Sequence, residues 1–363
     1  MKILHTISGL SKSSGGPSSC TYNLLKGLNN AGVNADVLTI GSEDVISNDD
    51  FIIAVDNDAQ NPFVYSKNFK DRLRYGKQYD IYHANGLWTY PSHATAEWAL
   101  KNDKPYLIAP HGMLYPAGLD SKPWKKKLAL ALFQRRDLKN ATAIQATCQQ
   151  EAEYIEALGF NRPIEIIPNC LDIKLTPIRE KENSVKRFGF VGRINPIKNI
   201  NLLLEAWAKL GDKTKNCELI IAGEGDAIYK KQLTDFVADK KMENVVFCGF
   251  LSGNELTEMV SSFDYQLLVS KSENFGMVIP EALICGVPCI ATQGTPWGEL
   301  NTHNCGWWIN DGVDNIASAI ENAISTTETS RKEMGLRGRQ LVIDNYSVNS
   351  VADKLIKVYE KLL

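Results

Sequence analysis

The sequence predicts an α/β protein of two Rossmann-like, doubly wound domains facing a cleft, and three observations carry that expectation. At 363 residues the chain exceeds what a single core usually serves and suits two domains. Short apolar runs alternate with amphipathic stretches in two separate series, the rhythm of βαβ units and parallel sheets. Between the series lies a charged, proline-bearing stretch, Leu171 to Lys186, that reads as a linker.

The first series, residues 1–170, opens with Lys2 to Ile7 as a strand, Ser18 to Ala31 as a helix and Ala35 to Ile40 as the next strand. Ile81 to His83, Tyr106 to Ala109, Ala143 to Ala146 and Ile164 to Ile167 continue it, each with turn residues near its C-terminal end, where such folds place ligands. The second series, residues 187–345, has strands at Arg187 to Val191, Glu218 to Ala222, Val245 to Cys248, Tyr265 to Val269 and Cys289 to Ala291. The last stretch, Tyr346 to Leu363, carries Leu355, Ile356, Val358, Tyr359 and Leu362 on one helical face.

Composition narrows the function classes. A net charge of -2 provides no global field for nucleic acid, and 44% hydrophobic with 23% charged residues is ordinary for a globular chain. The eight cysteines form no Cys-x-x-Cys pair and read as reduced, small apolar residues. No run approaches the ~18 apolar residues of a membrane span. The N-terminus reads as a strand and not as a secretory signal, so a cytoplasmic location is expected and the sequons at Asn140 and Asn345 are taken as coincidental.

The segment Ser270 to Pro288 carries the strongest chemistry. A strand ends at Ser270, a turn holds Glu273 to Gly276, and a helix begins near Val278 or Ile279 with Pro280 in its first turn. Backbone amides at such a helix start attract phosphate oxygens, and the carboxylate of Glu273 can accept hydrogen bonds from sugar hydroxyls. Glu273 and Glu281 can both reach a ligand seated there. Earlier, Ile221 to Asp226 forms a strand and a glycine-rich turn, which suits either a phosphate or a plain tight βα connection.

The segment from Glu273 to Glu281 resembles the Glu-x7-Glu motif of the glycogen-synthase-like family of retaining glycosyltransferases, the family 4 type with the glycosyltransferase B fold. Gly192 to Asn199 resembles that family's Gly-Arg…Lys segment, and other signatures follow in order over nearly the whole chain. The resemblance implies that Glu281 binds the ribose hydroxyls, Glu273 contacts the transferred sugar, and Arg193 and Lys198 supply the charge for a departing diphosphate that a metal ion would otherwise supply. It implies a donor site completed by Asn274, Phe275, Gly276, Met277 and Val278, with Phe250 and Leu251 at the base, though Phe250 also suits plain packing. Asn274 stands where many members have glycine and is expected to accept a left-handed conformation.

In the first domain Ser14-Gly15-Gly16-Pro17 resembles the family's glycine-pair loop over the diphosphate, and His111 resembles its sugar-contacting histidine. The final helix is implied to cross back onto the first domain, with Val348 near the place of a frequent tryptophan. The implied activity is retaining transfer of a hexosyl or N-acetylhexosaminyl group from a nucleotide diphosphate sugar, UDP-linked by analogy, to a glycan or lipid-linked glycan, with no metal and no cofactor. Trp297 and the pair Trp307-Trp308 resemble the branch serving bacterial polysaccharide, O-antigen and lipopolysaccharide assembly, and both also suit packing. A catalytically silent nucleotide-sugar-binding subunit and a nucleotide-sugar epimerase on the same fold are the alternatives.

Other features point elsewhere. Asp56-Asn57-Asp58 imitates a manganese-holding Asp-x-Asp but sits in an acidic stretch, and His83 and His93 lack companions at metal spacing. Asn85 and Trp88 are acceptor-side candidates by position alone. Lys122, Lys125, Lys126 and Lys127 flank Trp124 and lead into Leu128 to Phe133, which suits contact with anionic lipid at the inner membrane face or a core helix with a solvated basic start.

Overall fold

The structure, a computed structural model, describes residues 1–11, 16–59, 61–76, 78–120, 122–173, 175, 178–179 and 183–363. Two compact units emerge: Met1–Asp172 with Tyr346–Leu363, and Ile173–Asn345. No described helix is long and apolar enough to cross a membrane, and all eight cysteines are free thiols.

Among the described residues the first unit holds seven parallel strands: β1 (Lys2–Thr6), β2 (Asn34–Ile40), β3 (Ile52–Val55), β4 (Ile81–Asn85), β5 (Tyr106–Ala109), β6 (Ala143–Ala146) and β7 (Ile164–Ile166). Their order is β3-β2-β1-β4-β5-β6-β7, so the winding reverses between β1 and β4. The second unit holds β8 (Lys186–Val191), β9 (Cys217–Ala222), β10 (Val245–Gly249), β11 (Tyr265–Leu268), β12 (Cys289–Thr292) and β13 (Gly306–Ile309) in the order β10-β9-β8-β11-β12-β13, reversing between β8 and β11. Such reversals leave a crevice beyond the strands' carboxyl ends, where open α/β sheets take ligands.

Strands β3 and β13 go beyond the sequence reading. Each is a four-residue edge strand and largely half-buried; β3 is the apolar run Ile52–Val55, ended by the acidic Asp56-Asn57-Asp58 that draws attention first, and β13 carries two tryptophans. Within the stretch read as a linker, described residues bond to the second unit. Arg179 ion-pairs with Asp264, Asn183 donates to the same carboxylate at 2.8 Å, and Ile178 packs over Gly286. Leu171 instead bridges to Ser347 inside the first unit.

After the long helix Glu328–Tyr346, Ser347 caps the helix Val348–Leu362 by accepting from the Ser350 amide at 3.2 Å. That last helix packs on Gly16–Asn30 with its apolar face inward. A methyl group at Gly27 would lie 2.6 Å from Val348 Cγ1, so this close helix contact needs glycine there.

Candidate functional site

In the second unit, the loops after β8, β9 and β10 and the start of the helix Val278–Ile284 enclose a cavity of about 260 Å³. It gathers Gly192, Arg193, Gly223, Glu224, Phe250, Leu251, Leu256, Val278 and Glu281. Arg193 is exposed and makes no side-chain hydrogen bond or ion pair to a described residue. Phe250 is 72% exposed at the rim, which argues against the packing role. Glu281 is half-buried with no hydrogen-bond partner for its carboxyl among the described residues, and burial pushes its pKa up to about 7. An unanswered carboxyl beside a free guanidinium and an apolar wall forms a site short of its partners.

Lys198 and Glu273 stand together but do not line that cavity. Asn195 caps the short 3-10 turn Pro196–Lys198 by accepting from the Ile197 amide at 3.1 Å, and Asn199 ends it in a left-handed conformation. Lys198 Nζ then ion-pairs with Glu273 Oε1, which also accepts from Ser270 Oγ at 2.6 Å. The Lys271 amide ties the two loops together by donating to Ile197 O at 2.8 Å, and the Glu273 amide donates to Gly294 O at 2.8 Å in the loop after β12.

The turn corrects two expectations. Phe275 is buried edge-on against Trp297 at 5.2 Å, and Trp297 Nε1 donates to its carbonyl at 2.5 Å, so this side chain supports the turn from behind. The left-handed residue is Gly276, φ 77°, and not Asn274. A side chain there would be strained and would meet Leu268 at 2.9 Å. Met277 occupies the helix N-cap position without a side-chain cap. Trp308 donates to Thr295 O at 2.9 Å and Trp307 packs on Tyr265 at 5.7 Å, so both serve the fold.

In the first unit a second cavity, about 300 Å³, lies beyond β1, β4 and β5 and is lined by Ser8, Pro17, Ser18, Asn85, Gly86 and His111 among others. His111 Nε2 meets Asn85 Oδ1 at 3.1 Å, and burial lowers its pKa to about 4, leaving it neutral at ordinary pH. Its backbone is left-handed, φ 52°, held where the Gly112 amide donates to Glu151 Oε1 at 2.5 Å. Thr147 donates to the other oxygen of that carboxylate at 2.7 Å through its amide and its hydroxyl. Sequence reasoning missed Glu151, although a glutamate at the third position of the helix Gln149–Ala157 is a recognisable signal.

The remaining candidates divide. Gly16 begins the helix Gly16–Asn30 with open space about its α-carbon, whereas Ser14 and Gly15 lie outside the described residues. Trp88 does not line the cavity: its backbone is left-handed, φ 70°, and its side chain joins the apolar core while Leu87 and Thr89 face the space. Asp58 accepts from the Lys67 and Asn68 amides at 2.9 and 3.1 Å, which commits it to the start of the helix Lys67–Tyr75, and Asp56 accepts from Ser42 Oγ at 2.5 Å. His93 pairs with Asp137 at 2.9 Å. No cluster of metal-ligating side chains occurs among the described residues.

Comparison with known proteins matches residues 174–341 to the model of glycosyl transferases group 1 and residues 14–175 to that of glycosyltransferase family 4. EpsF of Bacillus subtilis, whose name places it among glycosyltransferases, is 23% identical over 312 residues, covering 80% of this chain and 79% of its own. An uncharacterized 41.2 kDa protein in the cps region of Klebsiella pneumoniae is 27% identical over 267 residues, 70% of this chain and 69% of its own. The structure of Anabaena HepE in complex with UDP and glucose superposes with a TM-score of 0.76 at 18% identity, covering 99% of this chain and all of that one. Sucrose-phosphate synthase from Thermosynechococcus elongatus reaches 0.79 at 19% identity, covering 100% of this chain and 99% of its own. Two parallel-sheet, Rossmann-like units of the glycosyltransferase B fold are thus shared.

Proposed function

The chain belongs to the group 1 glycosyl transferases, family 4, which act on nucleotide sugars, and from that premise we propose that it transfers a hexosyl or N-acetylhexosaminyl group from a UDP-linked donor, with retention and without a metal, to a glycan or lipid-linked glycan. The observation that carries this reading is the second unit's cavity, which joins the free guanidinium of Arg193 to the unpartnered carboxyl of Glu281 beside Phe250 and Leu251. A nucleoside diphosphate has the complementary parts: a flat base for the apolar wall, a ribose diol for the carboxyl, and phosphate charge for the guanidinium.

On this reading Arg193 and Lys198 stabilise the departing diphosphate, while the ion pair with Lys198 aims Glu273 at the sugar hydroxyls. The acceptor oxygen bonds to the anomeric carbon as the bond from that carbon to the phosphate oxygen breaks. The acceptor's proton passes to the released diphosphate, so no protein nucleophile takes part. Neutral His111, on the wall of the first unit's own cavity, is read as a contact for a sugar hydroxyl, and apart from the adjoining chain no described atom lies within 4 Å of where a side chain on Gly16 would begin.

The test is transfer from UDP-glucose and UDP-N-acetylglucosamine to a glycan acceptor in EDTA, with the anomeric configuration read by NMR. An α-linked product formed at full rate in chelator is expected. Inverted product, or complete loss restored by manganese, contradicts the reading. Donor binding without transfer points to the silent subunit, and altered donor sugar without acceptor to the epimerase.

A role in bacterial polysaccharide assembly, lipopolysaccharide included, belongs to the same proposal, and the relative from the cps region accords with its polysaccharide part. Contact with the inner face of the cytoplasmic membrane has its own observation. Trp124, Leu128 and Leu132 are 66%, 51% and 71% exposed at four-residue intervals, along a helix that runs through a π-turn, Leu130–Gln134. An exposed apolar stripe beside Lys122, Lys125 and Lys127 suits an anionic lipid surface better than a core helix.

A further inference from the structure

We propose that Asn85, His5 and Tyr359 form a one-directional hydrogen-bond chain that locks His111 with its proton on Nε2, presenting Nδ1 as a lone-pair acceptor for a substrate hydroxyl. The substrate-facing part rests on the reading of His111 given above. Asn85, proposed from its position as an acceptor contact, becomes a positioning residue.

The neighbours of the Asn85 amide fix its orientation. One end lies 3.3 Å from the carbonyl of Thr6 and 3.4 Å from that of His83. Carbonyl oxygens only accept, so this end is the NH₂ group and the oxygen faces His111 Nε2 at 3.1 Å. An amide oxygen also only accepts, so Nε2 must carry the hydrogen. A neutral imidazole has one such hydrogen, which leaves Nδ1 bare. Nδ1 is buried without a partner among the described residues, on a side chain that lines the first unit's cavity. A buried acceptor without a donor is costly unless a ligand supplies one, and a sugar hydroxyl in the cavity would do so.

Contacts deeper in the unit keep the amide from flipping. Asn85 Nδ2 also lies 3.3 Å from His5 Nδ1, and because an amide nitrogen only donates, one of its two hydrogens goes to that nitrogen while the two carbonyls share the other, which places the His5 hydrogen on Nε2. That hydrogen meets Tyr359 Oη at 2.8 Å, and the tyrosine hydrogen is then free to reach His83 Nδ1 at 2.7 Å. Paired register of β1 and β4 brings His5 opposite His83, ring centroids 4.5 Å apart, with both side chains fully buried. Burial holds His5 near 3 and keeps His83 well below its ordinary value, so each ring has a single hydrogen to place. The ionisable neighbour across the turn is Glu151, bonded to the Gly112 amide. His111 itself sits in a left-handed backbone that costs energy for a residue with a side chain, as is common where geometry is held for function.

The experiment uses the full chain labelled with ¹⁵N-histidine, which has five histidines to resolve, and long-range ¹H–¹⁵N correlation spectra assigned with single substitutions. Wild-type His111 is expected as one tautomer, protonated on Nε2, unchanged across neutral pH, with the Nδ1 resonance moving when UDP-glucose and a glycan acceptor are added. Asn85→Ala should give a tautomer mixture and lower kcat by about tenfold with the donor KM nearly unchanged. Tyr359→Phe keeps the ring's packing and should shift the His5 and His83 signals, with kcat falling by about threefold. Two tautomers, or a protonated Nδ1, in the wild-type spectrum would overturn the lock, and this needs no variant to fold. Wild-type turnover in His111→Ala would overturn the substrate-facing role together with the reading it rests on, and leave the lock to the spectra.

Discussion

One cavity lies beyond β1, β4 and β5 of its sheet and the other beyond β8, β9 and β10 of its own, and their electrostatics differ. In the second unit's cavity the protein leaves charge uncommitted: Arg193 has no partner among the described residues, and burial raises the pKa of Glu281 to about 7 with no partner for its carboxyl among them. Beyond β1 and β4 it spends its polar groups on one another, in a neutral chain through His111, Asn85, His5 and Tyr359. The contrast suggests a division of labour. A charged, unsatisfied cavity suits an ionic ligand whose charge grows during reaction, and a neutral, internally fixed one suits the orientation of hydroxyls.

Breaking the charged side should have the largest effect. Arg193→Ala is expected to lower turnover by about 10²- to 10³-fold, the scale of losing one preorganised charge contact. Its melting temperature should barely change, because the guanidinium is exposed and bonded to no described residue. A parallel loss of stability and activity would show that Arg193 supports the fold.

A middle-sized effect sharpens the contrast through pH. The folded pKa of Glu281, about 7, lies above its ordinary 4.5, so between those values the folded protein holds a proton that the unfolded chain has released. Stability from this group is therefore present at low pH and fades as pH rises through about 4.5 to 7. Glu281→Gln should flatten that slope and be relatively more stable at about pH 8. Ribose hydroxyls donate to the ionised carboxylate, so wild-type donor affinity should rise from about pH 6 to about pH 8, and the variant should lose that rise along with about tenfold in affinity. Differential scanning calorimetry and donor titrations at both pH values check this. His111, held near 4 against its ordinary 6.5, acts in the opposite sense, adding stability as pH rises through about 4 to 6.5, so the difference between wild type and Glu281→Gln isolates the carboxyl.

The smallest effect lies outside both cavities. Neutralising Lys122, Lys125, Lys126 and Lys127 together should weaken binding to anionic liposomes and lower turnover on a lipid-linked acceptor by about threefold to tenfold. Turnover on a soluble acceptor should hold. Equal losses on both acceptors, or salt-independent liposome binding, would remove the membrane role.

Much of the fold was legible because central parallel strands are continuous apolar runs, and the runs at Phe188 to Val191 and Leu219 to Ala222 show it. The edge strands β3 and β13 escape for another reason: in sequence the apolar run Phe51 to Val55 reads only as the approach to Asp56-Asn57-Asp58, and Trp307 and Trp308 read as aromatic features before they read as strand. The charged residues around the second cavity were legible as types in a spacing, but their pairing was not. Lys198 and Glu273 meet only because two loops are tied by backbone bonds between residues far apart in sequence. Phe275 looked like part of the ligand surface because nothing in its own segment announces that Trp297 will cover it. The histidine chain was least legible. His5 and His83 are lone histidines in apolar strands, and only the register between β1 and β4 and the return of the last helix place them on one hydroxyl.

The most direct test of the central claim, that the second unit's cavity holds the nucleotide diphosphate through Arg193 and Glu281, is calorimetric titration of UDP in EDTA into wild type, Arg193→Ala and Glu281→Gln. One site per chain is predicted for wild type, with affinity at least about tenfold weaker in each variant, a loss of about 1.4 kcal/mol. Equal affinity in all three proteins would contradict the account and place the donor elsewhere.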